Sequence, residues 1–136
     1  MNTDQFISQL QALYPGKPIF KNDDNNPTEI LCELDPTSDH PDYSVAIAVI
    51  DRSIPHYHQH TEELYEVLTG QLTLYTCHPE LVSGSQLKYQ KHILHPGDSY
   101  TIKPGTYHFA EGQETWIKAT SHPGWTTNDH HLIITS

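Results

Sequence analysis

His56-Tyr57-His58-Gln59-His60-Thr61-Glu62-Glu63-Leu64-Tyr65-Glu66-Val67-Leu68-Thr69-Gly70 is the stretch on which the rest of the chain hangs. On an extended strand, side chains two residues apart share a face, so His56 and His58 point the same way. A short bend after them lets a following strand set Glu63 beside both. Tyr65 and Val67 share the face of Glu63, while Glu62 and Glu66 face away from it. A third imidazole from a distant strand would complete a set of three His and one carboxylate. Such an N/O set suits Mn, Fe, Ni, Co or Zn as divalent ions and disfavours Cu(I). His60 extends the alternation and is read as a surface residue or as one that supports a ligand from behind.

Further along, Gly97-Asp98-Ser99-Tyr100-Thr101-Ile102-Lys103-Pro104-Gly105-Thr106-Tyr107-His108 reads as a strand, a tight Pro-Gly turn and a histidine returning from it. His108 is the candidate third imidazole. Between and around these segments, short β-rich runs alternate with Gly and Pro punctuation. They are Ile30 to Leu34, Ser44 to Ile50, Pro55 to His60, Glu63 to Thr69, Gln71 to Thr76, Leu87 to Leu94, Ser99 to Lys103, Tyr107 to Glu111, Thr115 to Thr120 and Leu132 to Thr135. That rhythm predicts an all-β sandwich or barrel. Ahead of it, residues 3–14 carry Phe6, Leu10, Leu13 and Tyr14 at helical spacing, with Asn2 and Gln5 placed as a capping box and Pro15-Gly16 as the stop. His78 to Ser85 reads as a loop inserted between two strands.

The two motif segments resemble the paired motifs of the cupin superfamily. The first supplies HxH, four residues, Glu63, six residues and Gly70; the second supplies Gly97, five residues, Lys103-Pro104-Gly105, two residues and His108. Three positions depart from the pattern: Ile50 replaces the opening Gly, Lys103 a Pro, and Gly112 the closing Asn. The resemblance implies a double-stranded β-helix, the jelly-roll or cupin barrel, with a short N-terminal helix. It implies one domain over residues 1–136, with helix at about 3–14, barrel at about 28–136, and motifs at 56–70 and 97–108. It carries the metal ligands onto His56, His58, Glu63 and His108, and implies a homodimer.

Composition narrows the chemistry. The 136 residues carry 17 acidic and 7 basic side chains, a formal net charge of -10, which repels nucleic acid and anionic lipid. Arg52 is the sole arginine, so a highly charged anionic substrate is disfavoured as well. Mean hydropathy is -0.59 and no apolar run approaches a membrane span. The N-terminus has no signal-peptide pattern, and a cytoplasmic location is expected. Cys32 and Cys77 form no CxxC and are read as reduced and partly buried.

Four protein ligands on a six-coordinate ion leave two positions open, enough for a hydroxyl-carbonyl pair or for substrate plus O2. The first expectation is an isomerase or epimerase of a sugar or hydroxy-carbonyl compound; a non-haem dioxygenase and a non-catalytic ligand-binding cupin are the alternatives. Tyr65 is a candidate proton relay. Lys118 is a candidate contact to substrate if Trp116, Lys118 and Thr120 face inward. His92, His95, His122, His130 and His131 match no ligand spacing and are read as surface residues.

Overall fold

In the computed structural model, which describes residues 1–79 and 87–133, Asn2 caps helix α1 (Thr3–Leu13). Its side chain accepts the Gln5 amide N–H at 3.3 Å and also meets the Gln5 side chain at 2.9 Å, which satisfies part of the open first turn. The strands follow as β1 (Ile19–Lys21), β2 (Glu29–Asp35), β3 (Ser44–Arg52), β4 (His56–Tyr57), β5 (Glu62–Thr69), β6 (Leu72–Cys77), β7 (Gln90–Leu94), β8 (Ser99–Ile102), β9 (Tyr107–His122) and β10 (His131–Leu132). No helix of the described residues is long and apolar enough to cross a membrane. The loop expected from His78 to Ser85 lies, beyond Pro79, outside the described residues, as does the end of the strand expected from Leu132.

All pairings are antiparallel, and β9 organises them. Its first half pairs with β6, from Tyr107↔Cys77 to Gly112↔Leu72, and sets His108 opposite His56 of β4. Its second half lies between β3 and β5. A strand shared by several neighbours along its length curls the sheet into a barrel. The sequence pattern divides this strand in two at Gly112, but the chain runs through: Glu114 takes a positive φ of 52°, and the register against β3 shifts between Ile50 and Arg52. Gly112 sits where a Cβ would lie 2.8 Å from the Ile50 carbonyl oxygen. Two departures from the motif pattern therefore meet at one crossing, and the glycine permits the close approach.

Two apolar clusters hold the fold. Ile50, Val67, Leu72, Leu74, Leu94, Ile102 and Ile117 fill one end of the barrel interior. On the outside, α1 lays Phe6 and Leu10 over Ile30, Cys32, Ile47 and Val49 of β2 and β3. Burying side chains of this size contributes about 1.5–3 kcal/mol each. β3 is thus covered on both faces, which explains its unbroken apolar run from Val45 to Ile50. Toward the other end the wall residues are small, with Ser44, Ala46 and Ala48 of β3 and Ala119 and Ser121 of β9, and a cavity of about 640 Å³ opens there.

Candidate metal centre

His56, His58 and Glu63 line that cavity, His108 joins them from behind, and all four are buried. One donor atom of each lies within 4.8 Å of the others. Strand pairing brings His108 opposite His56, and β5 delivers Glu63 after the bend at residues 58–61.

Each imidazole is oriented by a backbone carbonyl. The Nδ1 atoms lie 2.7 Å from Ile54 O for His56, 2.8 Å from Asp129 O for His58 and 2.9 Å from Thr106 O for His108. A carbonyl only accepts, so each Nδ1 carries the hydrogen and each Nε2 presents a lone pair inward. Glu63 Oε1 lies 2.9 Å from His58 Nε2 and 3.0 Å from His108 Nε2. The first contact is poorly directed, and His58 Nε2 remains a buried nitrogen without a hydrogen bond. Converging imidazole lone pairs beside a carboxylate fit a divalent cation that accepts them all.

Electrostatics favour the ligating forms of His56 and Glu63, whereas at His58 burial is outweighed by the Glu63 carboxylate, which raises that imidazole. Burial, reinforced by the neighbouring His108, holds His56 well below the ordinary imidazole range and so keeps it neutral. Burial alone would raise the Glu63 carboxyl, but the adjoining His108 and His58 rings outweigh it and keep Glu63 ionised.

Asp129 braces the bend from the opposite end of the chain. Its carboxylate accepts the amide N–H groups of Gln59 at 2.8 Å, His60 at 3.0 Å and Thr61 at 3.1 Å. Its own carbonyl is the acceptor that orients His58. His60 itself is exposed and serves through its backbone.

The other expectations divide. Tyr65 is buried and lines the cavity beside Glu63. Lys118 does not: strand alternation turns Ile117, Ala119 and Ser121 to the cavity, and Trp116 packs instead against Phe6 of α1. The inward set is the opposite of the one that would have made Lys118 a substrate contact. His130 is corrected too. It lines the cavity, with its ring stacked on His56 at 4.5 Å and the Trp125 indole nitrogen 3.4 Å from its Nδ1. Glu29 and Glu33 of β2 also line the cavity, and the motif spacing gave no sign of them.

No protein-family model matches the chain, and neither does any curated protein. Solved structures do match. Streptomyces Pac13, a nucleoside dehydratase, superposes with a TM-score of 0.66 at 16% identity, over 88% of this chain and 87% of its own. KdgF from Halomonas sp. gives 0.57 at 20% identity, over 74% and 85%. Fe(II)-HppE gives 0.63 at 15% identity, over 80% of this chain and 57% of that one. Each is a cupin-fold protein, and this chain has the same double-stranded β-helix.

Proposed function

We propose that this cupin is a metal-dependent enzyme catalysing redox-neutral proton transfer, an isomerisation or epimerisation, on a small uncharged hydroxy-carbonyl compound. The observation that carries the reading is the tautomer arrangement: three imidazoles with Nδ1 tied to carbonyls and Nε2 turned toward Glu63 at one cavity wall. Bound there by His56, His58, Glu63 and His108, a divalent ion supplies Lewis acidity, polarising a carbonyl and acidifying an adjacent hydroxyl.

The chain's own groups set the substrate class. Ser44, Ala46, Ala48, Ala119 and Ser121 leave room for a molecule of sugar or nucleoside size. Glu29, Glu33 and Glu63 face the cavity, with Lys21 the lysine among its lining residues, so an anionic ligand is repelled. Trp125, Phe20, Ile54 and Leu132 are partly exposed at the lining and offer apolar contact away from the ligand cluster. Likeness to a nucleoside dehydratase supports redox-neutral chemistry on an uncharged polyol. Likeness to Fe(II)-HppE supports a second reading, O2 chemistry at ferrous ion.

Metal analysis after loading with Mn, Fe, Ni, Co or Zn is the first test, and protein that stays empty of all five refutes both readings. Loaded protein is then incubated in D2O with hydroxy-ketones, sugars and nucleosides under an oxygen electrode. Deuterium uptake into substrate without O2 consumption supports the isomerase; O2 consumption supports the alternative.

A further inference from the structure

We propose that Glu29 is the acid–base group of this site, exchanging a proton with a ligand held at the His56–His58–Glu63–His108 cluster. The inference rests on the isomerase reading above and adds the residue that moves the proton.

Placement comes first. Along β2, Ile30 and Cys32 pack outward under α1, so alternation turns Glu29, Leu31 and Glu33 to the cavity. The backbone at Glu29 is clamped. Asn22 Oδ1 accepts the amide N–H groups of both Thr28 and Glu29 at 3.0 Å, and Asn22 Nδ2 donates to Thr28 Oγ1 at 2.8 Å. The Thr28 hydroxyl donates in turn to Arg52 O at 2.6 Å, and the Thr28 carbonyl accepts the N–H groups of Asp51 and Arg52. A side chain rooted in so fixed a turn keeps its aim. Yet among the described residues nothing donates a hydrogen bond or forms an ion pair to the Glu29 carboxylate, so its oxygens are free for a ligand.

Few other ionisable groups line the cavity. His56, His58 and Glu63 belong to the cluster, and His130 is stacked on His56. Tyr65 lies next in line on β5, Glu33 lies on β2, and Lys21 comes from β1. β3 and β9 contribute small or apolar side chains to this wall and no ionisable ones. Burial, with the nearby negative charge of Glu63 adding to it, pushes the Glu29 carboxyl up to about 7. In the metal-free protein that carboxyl therefore populates both its acid and base forms near neutrality.

The step balances without a co-reactant. The Glu29 carboxylate takes the proton from the carbon beside the carbonyl. The C–H electron pair moves into the adjoining carbon–carbon bond as the carbonyl oxygen takes up negative charge. The Glu29 carboxylic acid then returns the proton to the former carbonyl carbon, while the neighbouring hydroxyl closes a new carbonyl and passes its own proton to the original carbonyl oxygen, giving the isomer.

The test uses acetohydroxamic acid, a bidentate probe that binds a metal as its anion and so sheds a proton. Calorimetric titration of the zinc-loaded protein near pH 8, in two buffers of different ionisation enthalpy, counts protons reaching solvent. With Glu29 as acceptor the proton stays in the wild-type protein, whereas Glu29→Gln releases about one more per site and Glu33→Gln matches wild type. Equal counts in wild type and Glu29→Gln overturn the role of Glu29 and leave the metal reading standing. Absence of zinc in wild type overturns that reading instead. Infrared spectra of wild type alone give an independent check. A carboxylic acid carbonyl band persisting to near pH 7 is expected, and a protein with only carboxylate at pH 6 refutes the proposal.

Discussion

Replacing Asp129 by Asn removes one negative charge and exchanges one acceptor oxygen for a donor NH2. In the native protein Oδ1 accepts from Gln59, while Oδ2 accepts from His60 and Thr61. The better orientation of the amide keeps its oxygen at the Oδ2 position, which leaves the Gln59 N–H facing another donor. Three charge-assisted bonds become two neutral ones and one orphaned donor. A hydrogen bond to a charged group contributes about 1.5–3 kcal/mol and a neutral one about 1, so the net loss is at least roughly 2.5 kcal/mol. At this chain length that lowers Tm by roughly 10 °C or more. Because the Asp129 carbonyl also orients His58, zinc affinity falls by about 10–100-fold, measured below the melting range by competition with a chromophoric chelator. An unchanged affinity beside a lowered Tm would show that Asp129 braces the bend without holding His58, and an unchanged Tm would refute the bracing itself. The pH dependence has a definite sign. Burial raises the Asp129 carboxyl, but its backbone hydrogen bonds outweigh that and set it below the usual range. Its stabilisation is therefore present above the ordinary carboxyl range and lost as the pH falls through the depressed native value, and Asp129→Asn flattens that acid limb.

Three further outcomes follow from the same geometry. His108→Ala abolishes metal uptake by elemental analysis. Stripping metal from wild type costs about 4 kcal/mol when the free ion had stood at 1,000 times its Kd, and retained metal in the variant refutes the ligand assignment. Glu29→Gln stabilises the metal-free protein at pH 8 and not at pH 4. The native carboxyl sits at about 7 against an ordinary 4.5, so its contribution to stability falls as the pH climbs between those values, by roughly 3 kcal/mol at most. Chemical denaturation at both pH values checks this, and a gain of equal size at pH 4 refutes it. Gly112→Ala drives a Cβ to 2.8 Å from the Ile50 carbonyl and against a Thr115 side chain that is tied to Gln71 O, costing about 1–3 kcal/mol in the same assay.

What the sequence discloses follows from distance along the chain. His56, His58 and Glu63 are readable because strand alternation and one bend relate them locally, and the Pro-Gly turn points to His108. Lys118 was ambiguous because alternation names two faces without saying which is inner. The deciding contact is between Trp116 and Phe6, far apart in sequence. Glu29 and Glu33 share a strand face that reads as solvated in isolation. It becomes cavity wall because α1 covers the other face. Asp129 and His130 reach the site from the far end of the chain, where no periodicity marks them. β1 has three residues and pairs with β2 alone, too short to show alternation. Gly112 reads as a break, since its role depends on the crossing with Ile50.

The contrast between the filled and hollow ends of the barrel has a consequence for how such a protein changes over generations. Leucines and isoleucines at one end carry the folding free energy, while alanines and serines at the other carry little. Exchanging Ser44, Ala46 or Ser121 for a larger side chain reshapes what the cavity admits and leaves the packed end intact. Selectivity can therefore drift by single substitutions while the fold is maintained, so chains sharing this barrel can diverge in substrate long before they diverge in architecture.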